Sequence, residues 1–320
     1  MIALMGSFTL VVIMMQLTII GFGNQARAWA LNLRDSGFPV RIALRPGSSS
    51  ESAARSSKLP LIEIGSSDFY QSDAVALLIP DDEQEKFLVT HGTKMKSGSR
   101  ILYAHGYSVS RKSLEKKFPA LEHILFAPKS IGTELRRQYE IKGKLGAVFS
   151  LEHVRGNKPE TEIWLRTLAS SLGITMGPYA TTFLRETNAD LYSEQGLLCS
   201  LIPYAASEMF RHLLEEGTEP ELAYFECWHE LKLIINAMID KGPEGFFDLI
   251  SPNALIGSEK GYQTLMTDEF KNRMRSLLNE IKSGAFDHEV ESADVPALRK
   301  KISTRWTQDE LNKTFLRINS

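Results

Sequence analysis

The sequence predicts an α/β domain on a parallel sheet over residues 1–180, followed by an all-α domain over residues 181–320. Three observations carry that expectation. Up to about Gly177, short β-branched and apolar runs alternate with helical stretches, the pattern of βαβ units whose sheet is covered on both faces. Beyond Gly177, long stretches rich in Leu, Glu, Ala and Met repeat at the helical period of 3.6 residues. The chain has 320 residues, 43% hydrophobic and 24% charged, which suits one large or two ordinary domains.

That composition excludes a disordered, fibrous or disulfide-stapled protein. Thirty-seven Lys+Arg against thirty-nine Asp+Glu give a formal charge of −2, so no overall positive field draws in nucleic acid, and no nucleic-acid partner is expected. Cys199 and Cys227 lie in apolar runs with no CxxC spacing, which fits reduced thiols in a cytoplasmic protein and argues against structural zinc.

The run Met1–Ile20 is apolar and about 20 residues long, the length of a bilayer-spanning helix. It lacks the charged start of a signal peptide, since no Lys or Arg precedes Arg27, and Gly6, Ser7, Thr9, Gln16 and Thr18 interrupt it. Its end, Leu17–Ile20, reads as a buried strand entering a glycine turn. For Met1–Gln16 this favours a further buried strand or edge element over a membrane anchor or an upstream translation artefact, and no membrane partner is expected. A helix is expected over Gln25–Ser36, and later strands at Val40–Leu44, Ala74–Ile79, Arg100–Tyr103, His123–Ala127 and Gly146–Leu151.

Gly21-Phe22-Gly23-Asn24-Gln25-Ala26 matches GxGxxG/A at the strand-to-helix junction. Glycines there allow a tight turn and close approach of a pyrophosphate, and the helix that follows turns its free N–H groups and positive dipole end toward it. With a strand before and a second strand after, the motif indicates a Rossmann-type dinucleotide domain rather than a plain glycine turn. The second strand ends in Arg45-Pro46-Gly47-Ser48-Ser49-Ser50, with no carboxylate until Glu51. A guanidinium and hydroxyls suit a 2′-phosphate, so NADP(H) is expected over NAD(H); the alternative is a solvated polar loop.

In the second half, helices are expected over Asp190–Glu216, divided or kinked at Pro203, then Pro220–Lys241 and Asp268–Lys282. Asp190 and Glu194 are four apart, and Glu226 and Glu230 repeat the spacing, so each pair shares a helix face. Apolar residues from Leu222 to Ile235 surround the second pair on every side, and the helix reads as buried nearly all round. Four buried acids need neutralising, which Lys232 and His229 cannot do alone but a hard divalent cation such as Mg²⁺ can. A salt-bridged interface is the alternative.

Several strings together resemble ketol-acid reductoisomerase from about Leu17 to His288: IIGFGNQARAWALNLRDSG, LRPGSSS, LLIPDDEQ, YAHGYSV, FAPKSIGTELRRQYE, TTFLRETNADLYSEQGLLC and ELAYFECWHELKLI. The length is similar to the shorter class, whose helical domain is knotted and builds its active site across a homodimer interface. The resemblance implies two Mg²⁺ ions held by Asp190, Glu194 and, from the partner subunit in that class, Glu226, with Glu230 contacting substrate. It implies a substrate-carboxylate contact at Ser251, polar residues His105 and Lys129 between nicotinamide and metals, and a 2′-phosphate cradle of Arg45, Ser48 and Ser50. Lys129 and Glu230 are then the candidates for proton relay.

The implied reaction is NADPH- and Mg²⁺-dependent alkyl migration and reduction of 2-acetolactate or 2-aceto-2-hydroxybutyrate, in branched-chain amino-acid biosynthesis. Departures from the pattern lie at Ala26, at Ser130-Ile131 after Lys129, at Ser200-Leu201 after Cys199, at Gly177–Ala180, near Ser251 and beyond His288. They keep two alternatives open: a relative that reduces a 2-keto acid without the alkyl shift, and a catalytically silent cofactor-binding protein.

Overall fold

The computed structural model describes residues 15–320, and the expected element at Met1–Gln16 falls outside them but for its last two residues. Among the described residues no helix is long and apolar enough to cross a membrane.

The strands are β1 Leu17–Ile20, β2 Val40–Leu44, β3 Leu61–Glu63, β4 Ala74–Ala76, β5 Arg100–Tyr103, β6 Glu122–Pro128, β7 Gly146–His153 and β8 Met176–Ala180. They form one 8-stranded sheet in the order β3-β2-β1-β4-β5-β6-β7-β8. The order reverses between β1 and β4, the crevice where doubly wound sheets bind nucleotides. Consecutive residues of the central strands enter opposite cores. Leu17, Ile19, Leu102, Ile124 and Phe126 pack on one face with Trp29, and Ile20, Ile101, Tyr103 and Leu125 on the other with Phe69. Burial on both faces is what makes these strands read as continuous apolar runs.

The sheet is not parallel throughout, as the sequence led us to expect: β7 runs antiparallel to β6. The Lys129 amide donates to the Gly146 carbonyl at 2.9 Å, so the chain re-enters the sheet beside the end it left.

The chain divides into one unit ending at Thr187 and another over Asn188–Ser320. Helix Phe183–Ser193 begins where the sequence suggested a connector, with Thr182 Oγ1 accepting the Arg185 amide at 3.1 Å. It continues into a π-helical turn, Glu194–Leu198, before helix Leu201–Glu215. The interruption is at Cys199-Ser200 and not at the expected Pro203, which sits in the first turn of the next helix, where a missing N–H costs nothing. A second π turn, Phe225–His229, separates Pro220–Tyr224 from Glu230–Phe247, a stretch that kinks at Gly242 with φ +74°.

Helix Asp268–Ser283 forms as expected; helices Pro252–Leu265, Ala285–Ser292, Val295–Gln308 and Glu310–Ile318 add to it. The core of this unit is small and centres on Phe210, Ala223, Tyr224, Cys227 and Leu311. Helices Glu230–Phe247 and Pro252–Leu265 bury no residue. The expectation of a helix buried nearly all round is thereby corrected: Leu222 is 49% and Leu233 56% exposed. An apolar pattern reports that a face needs cover without saying which chain supplies it.

Candidate functional site

The loop after β1 opens a cleft of about 750 Å³ whose wall includes Gly21, Phe22, Gly23, Arg45, Ser48 and Ser50. Gly21 has φ +82°, which favours glycine. Gly23 precedes helix Asn24–Asp35, uses no side chain to cap it, and has open space where a Cβ would stand. The first N–H groups of that helix, at Asn24 and Gln25, are thus accessible to an anion. Ala26 is fully buried, so the small third residue of the motif serves helix packing. Across the cleft stand Ile79 and Pro80 and one face of helix Asp81–His91. Ser48 Oγ accepts the Ser50 amide at 3.3 Å, holding the serine loop beside Arg45.

The close approach that closes this region is one the sequence reading missed. A Cβ on Gly132 would lie 2.3 Å from the Asn24 carbonyl oxygen and 2.9 Å from the Gln25 nitrogen, so only glycine lets helix Gly132–Glu140 begin against the phosphate-binding turn.

His105 follows β5 and Lys129 follows β6, both at carboxyl ends of strands. Glu186, also missed, joins them. Its side chain is 1% exposed; Oε1 accepts from Lys129 Nζ at 2.5 Å, and Oε2 accepts the Gly106 amide at 2.7 Å and lies 3.8 Å from His105 Nε2. A Cβ on Gly106 would lie 2.6 Å from the Phe183 carbonyl, so glycine is what lets this amide reach the carboxylate. The start of the helix is tied to the sheet by the Phe183 amide, which donates to Glu152 Oε2 at 2.7 Å. On its other side His105 Nδ1 meets Asp81 Oδ2 at 3.3 Å.

Asp190 lies one turn beyond Glu186 in helix Phe183–Ser193, and Glu194 opens the π turn that follows. Glu186, Asp190 and Glu194 continue one four-residue spacing, the signal that could have revealed Glu186. Burial, then the charges of Glu194 and Asp190, push the Cys199 thiol pKa up. Both acids thus present negative potential on one side of the helix. Glu226 lies in the second π turn, and Glu230 begins the next helix. Both are exposed, as is Glu194, and among the described residues these three form no three-ligand cluster. Burial, then Glu226, raises the Cys227 thiol pKa.

Ser251 is exposed and caps helix Pro252–Leu265, its Oγ accepting the Ala254 amide at 3.2 Å. The structure therefore joins His105 and Lys129 through Glu186, and does not join Glu226, Glu230 and Ser251 to them. π turns recur at functional positions in helices, and here each holds one acid of a candidate pair.

Two family models match the chain: Acetohydroxy acid isomeroreductase, NADPH-binding domain, over residues 12–177, and Ketol-acid reductoisomerase, C-terminal domain, over residues 183–317. The chain is 35% identical over 273 residues to the ketol-acid reductoisomerase (NADP(+)) of Xanthomonas oryzae pv. oryzae (strain MAFF 311018), covering 85% of this chain and 81% of that protein. It is 33% identical over 273 residues to the enzyme of the same name from Xylella fastidiosa (strain Temecula1 / ATCC 700964), covering 85% of this chain and 77% of that one. Among solved structures it is similar to an NADH-preferring ketol-acid reductoisomerase from an uncultured archean, with TM-score 0.82, 25% identity, and coverage of 95% of this chain and 94% of that one. A semialdehyde dehydrogenase NAD-binding protein from Cupriavidus necator, at TM-score 0.62 and 14% identity over 84% of this chain and 99% of that one, shares the fold.

Proposed function

The chain belongs to the ketol-acid reductoisomerase family of oxidoreductases, and we propose that it converts 2-acetolactate, or 2-aceto-2-hydroxybutyrate, into the corresponding 2,3-dihydroxy acid in cytoplasmic branched-chain amino-acid biosynthesis. One observation carries the reading: a buried carboxylate, Glu186, grips Lys129 beside His105, one turn ahead of Asp190. That arrangement holds a proton donor next to a site that needs one when a ketone becomes an alcohol.

NADPH is the proposed hydride donor. The Gly21–Gly23 turn and the amides of Asn24 and Gln25 take its pyrophosphate, and Arg45, Ser48 and Ser50 its 2′-phosphate. The cleft offers these groups a guanidinium and hydroxyls where an NAD enzyme would carry a carboxylate.

Asp190, Glu194, Glu226 and Glu230 offer only oxygen donors, the set that a hard divalent cation takes, so the residues present fit two Mg²⁺ ions. When bound, Mg²⁺ supplies Lewis-acid stabilisation of developing alkoxide charge. Lys129, held by Glu186, supplies and recovers a proton; His105 lies between the cofactor side and the acids; Glu230 and Ser251 bind the substrate hydroxyl and carboxylate.

We further infer a homodimer or higher homo-oligomer. The exposed apolar faces of Glu230–Phe247 and Pro252–Leu265 support it, as do acids left on the surface of one chain. The division of labour we propose is cofactor binding in residues 1–180 and metal, substrate and subunit contacts in 181–320.

The test is NADPH oxidation with 2-acetolactate, with and without Mg²⁺, beside 3-hydroxy-3-methyl-2-oxobutanoate. Turnover of 2-acetolactate that needs Mg²⁺ is expected. Reduction of the second compound alone would leave a reductase without alkyl shift, and NADPH binding without either reaction a silent relative.

A further inference from the structure

We propose that Asp81 is a positioning residue for this site: it holds the His105 imidazole as the Nδ1–H tautomer with Nε2 turned toward Glu186. The inference rests on the reading of His105 as part of the reacting centre. An ionised carboxylate only accepts hydrogen bonds, so the 3.3 Å contact between His105 Nδ1 and Asp81 Oδ2 requires the proton on Nδ1. The second ring nitrogen is then the one 3.8 Å from Glu186 Oε2.

Asp81 is itself held. Gln84, which is 3% exposed, donates from Nε2 to Asp81 Oδ1 at 3.1 Å and to the Ile79 carbonyl at 3.1 Å. Ser108 Oγ donates to the Asp81 carbonyl at 3.2 Å. These bonds fix both the backbone and the carboxylate of a residue that opens helix Asp81–His91. Ile79 and Pro80, immediately before it, line the cofactor cleft. The turn that faces the cofactor therefore also grips the histidine, and the ring is spanned between a carboxylate after β4 and another on helix Phe183–Ser193. Partners of this kind commonly fix both the tautomer and the orientation of a working imidazole.

The test uses the full chain labelled with ¹⁵N-histidine. Among its seven histidines, the His105 signals are assigned by their loss in His105→Gln. In long-range ¹H–¹⁵N spectra the wild type should carry the proton on Nδ1. Asp81→Ala should move His105 to the Nε2–H form or a mixture, and lower kcat by roughly 10–100-fold. The NADPH dissociation constant should change by less than about threefold, a split that simple unfolding does not produce. In Asp81→Asn the amide can offer its oxygen to His105 or to Gln84 but not to both, so an intermediate spectrum is expected. That variant carries the test if Asp81→Ala no longer folds. Unchanged His105 signals in the folded variants, or a wild-type proton on Nε2, overturn the proposal. The spectra need no substrate or metal, so an enzyme inactive on 2-acetolactate would sink the proposed reaction and leave the tautomer result standing.

Discussion

Replacing Glu186 by Gln tests the ion pair at the centre of the site. The amide oxygen can keep the Gly106 N–H bond, but its NH₂ then faces the Lys129 ammonium, so one charge-assisted hydrogen bond is lost. Such bonds contribute about 1.5–3 kcal/mol, and Lys129, 38% exposed, is partly screened, which sets the expected loss near 2 kcal/mol. In a unit of this size that lowers Tm by about 4–8 °C. Lys129→Met should cost more, about 3–5 kcal/mol, because it leaves the Glu186 charge buried with the Gly106 amide as its remaining close donor. Denaturant melts of both variants and the double variant form a cycle whose coupling term should be about 2 kcal/mol. A coupling below about 0.5 kcal/mol, the ordinary error of additivity, would refute the argument, as would Glu186→Gln proving the costlier change.

Arg45→Ala should weaken NADPH binding by roughly 10–100-fold and NADH binding little, read by cofactor fluorescence titration; equal losses would remove Arg45 from the 2′-phosphate cradle. Gly132→Ala pushes a Cβ to 2.3 Å from the Asn24 oxygen, and should cost about 1–3 kcal/mol in chemical denaturation together with some NADPH affinity. His123, 1% exposed, takes the Tyr103 hydroxyl proton at 2.8 Å and donates to the Phe118 carbonyl at 3.2 Å, and burial lowers its pKa to about 4. Because the unfolded value is about 6.5, the unfolded chain binds the extra proton first. This contribution is therefore complete above pH 6.5 and is lost as pH falls toward 4, on the order of 3 kcal/mol in all. His123→Gln should flatten that limb of the stability–pH curve, and a parallel curve would contradict the assignment.

What the sequence disclosed follows the physics of each element. β1, β2 and β5 form at the expected residues because both faces of each are buried, leaving unbroken apolar runs. β3 is three residues long and partly exposed, and β8, Met-Gly-Pro-Tyr-Ala, buries only Pro178; edge strands like these carry little periodic signal. The direction of β7 is invisible in composition, since antiparallel and parallel strands share one period. In the site, Asp190 and Glu194 stood out by spacing, whereas Glu186 passed as part of a connector, although it extends the same four-residue interval. The glycine at 132 gave no local sign, because its constraint comes from Asn24, distant in sequence.

The two π turns have a consequence for how insertions and deletions act on this chain. Each widens its helix by one residue, and removing one residue from either would restore the regular winding and turn everything downstream by about 100°. A shortening of that kind at Glu194–Leu198 would re-aim Cys199 and the helix from Leu201; at Phe225–His229 it would re-aim Glu230 and the apolar stripe behind it. The compass bearing of each acid thus depends on one surplus residue, so a single-codon loss there should be far less tolerated than a substitution.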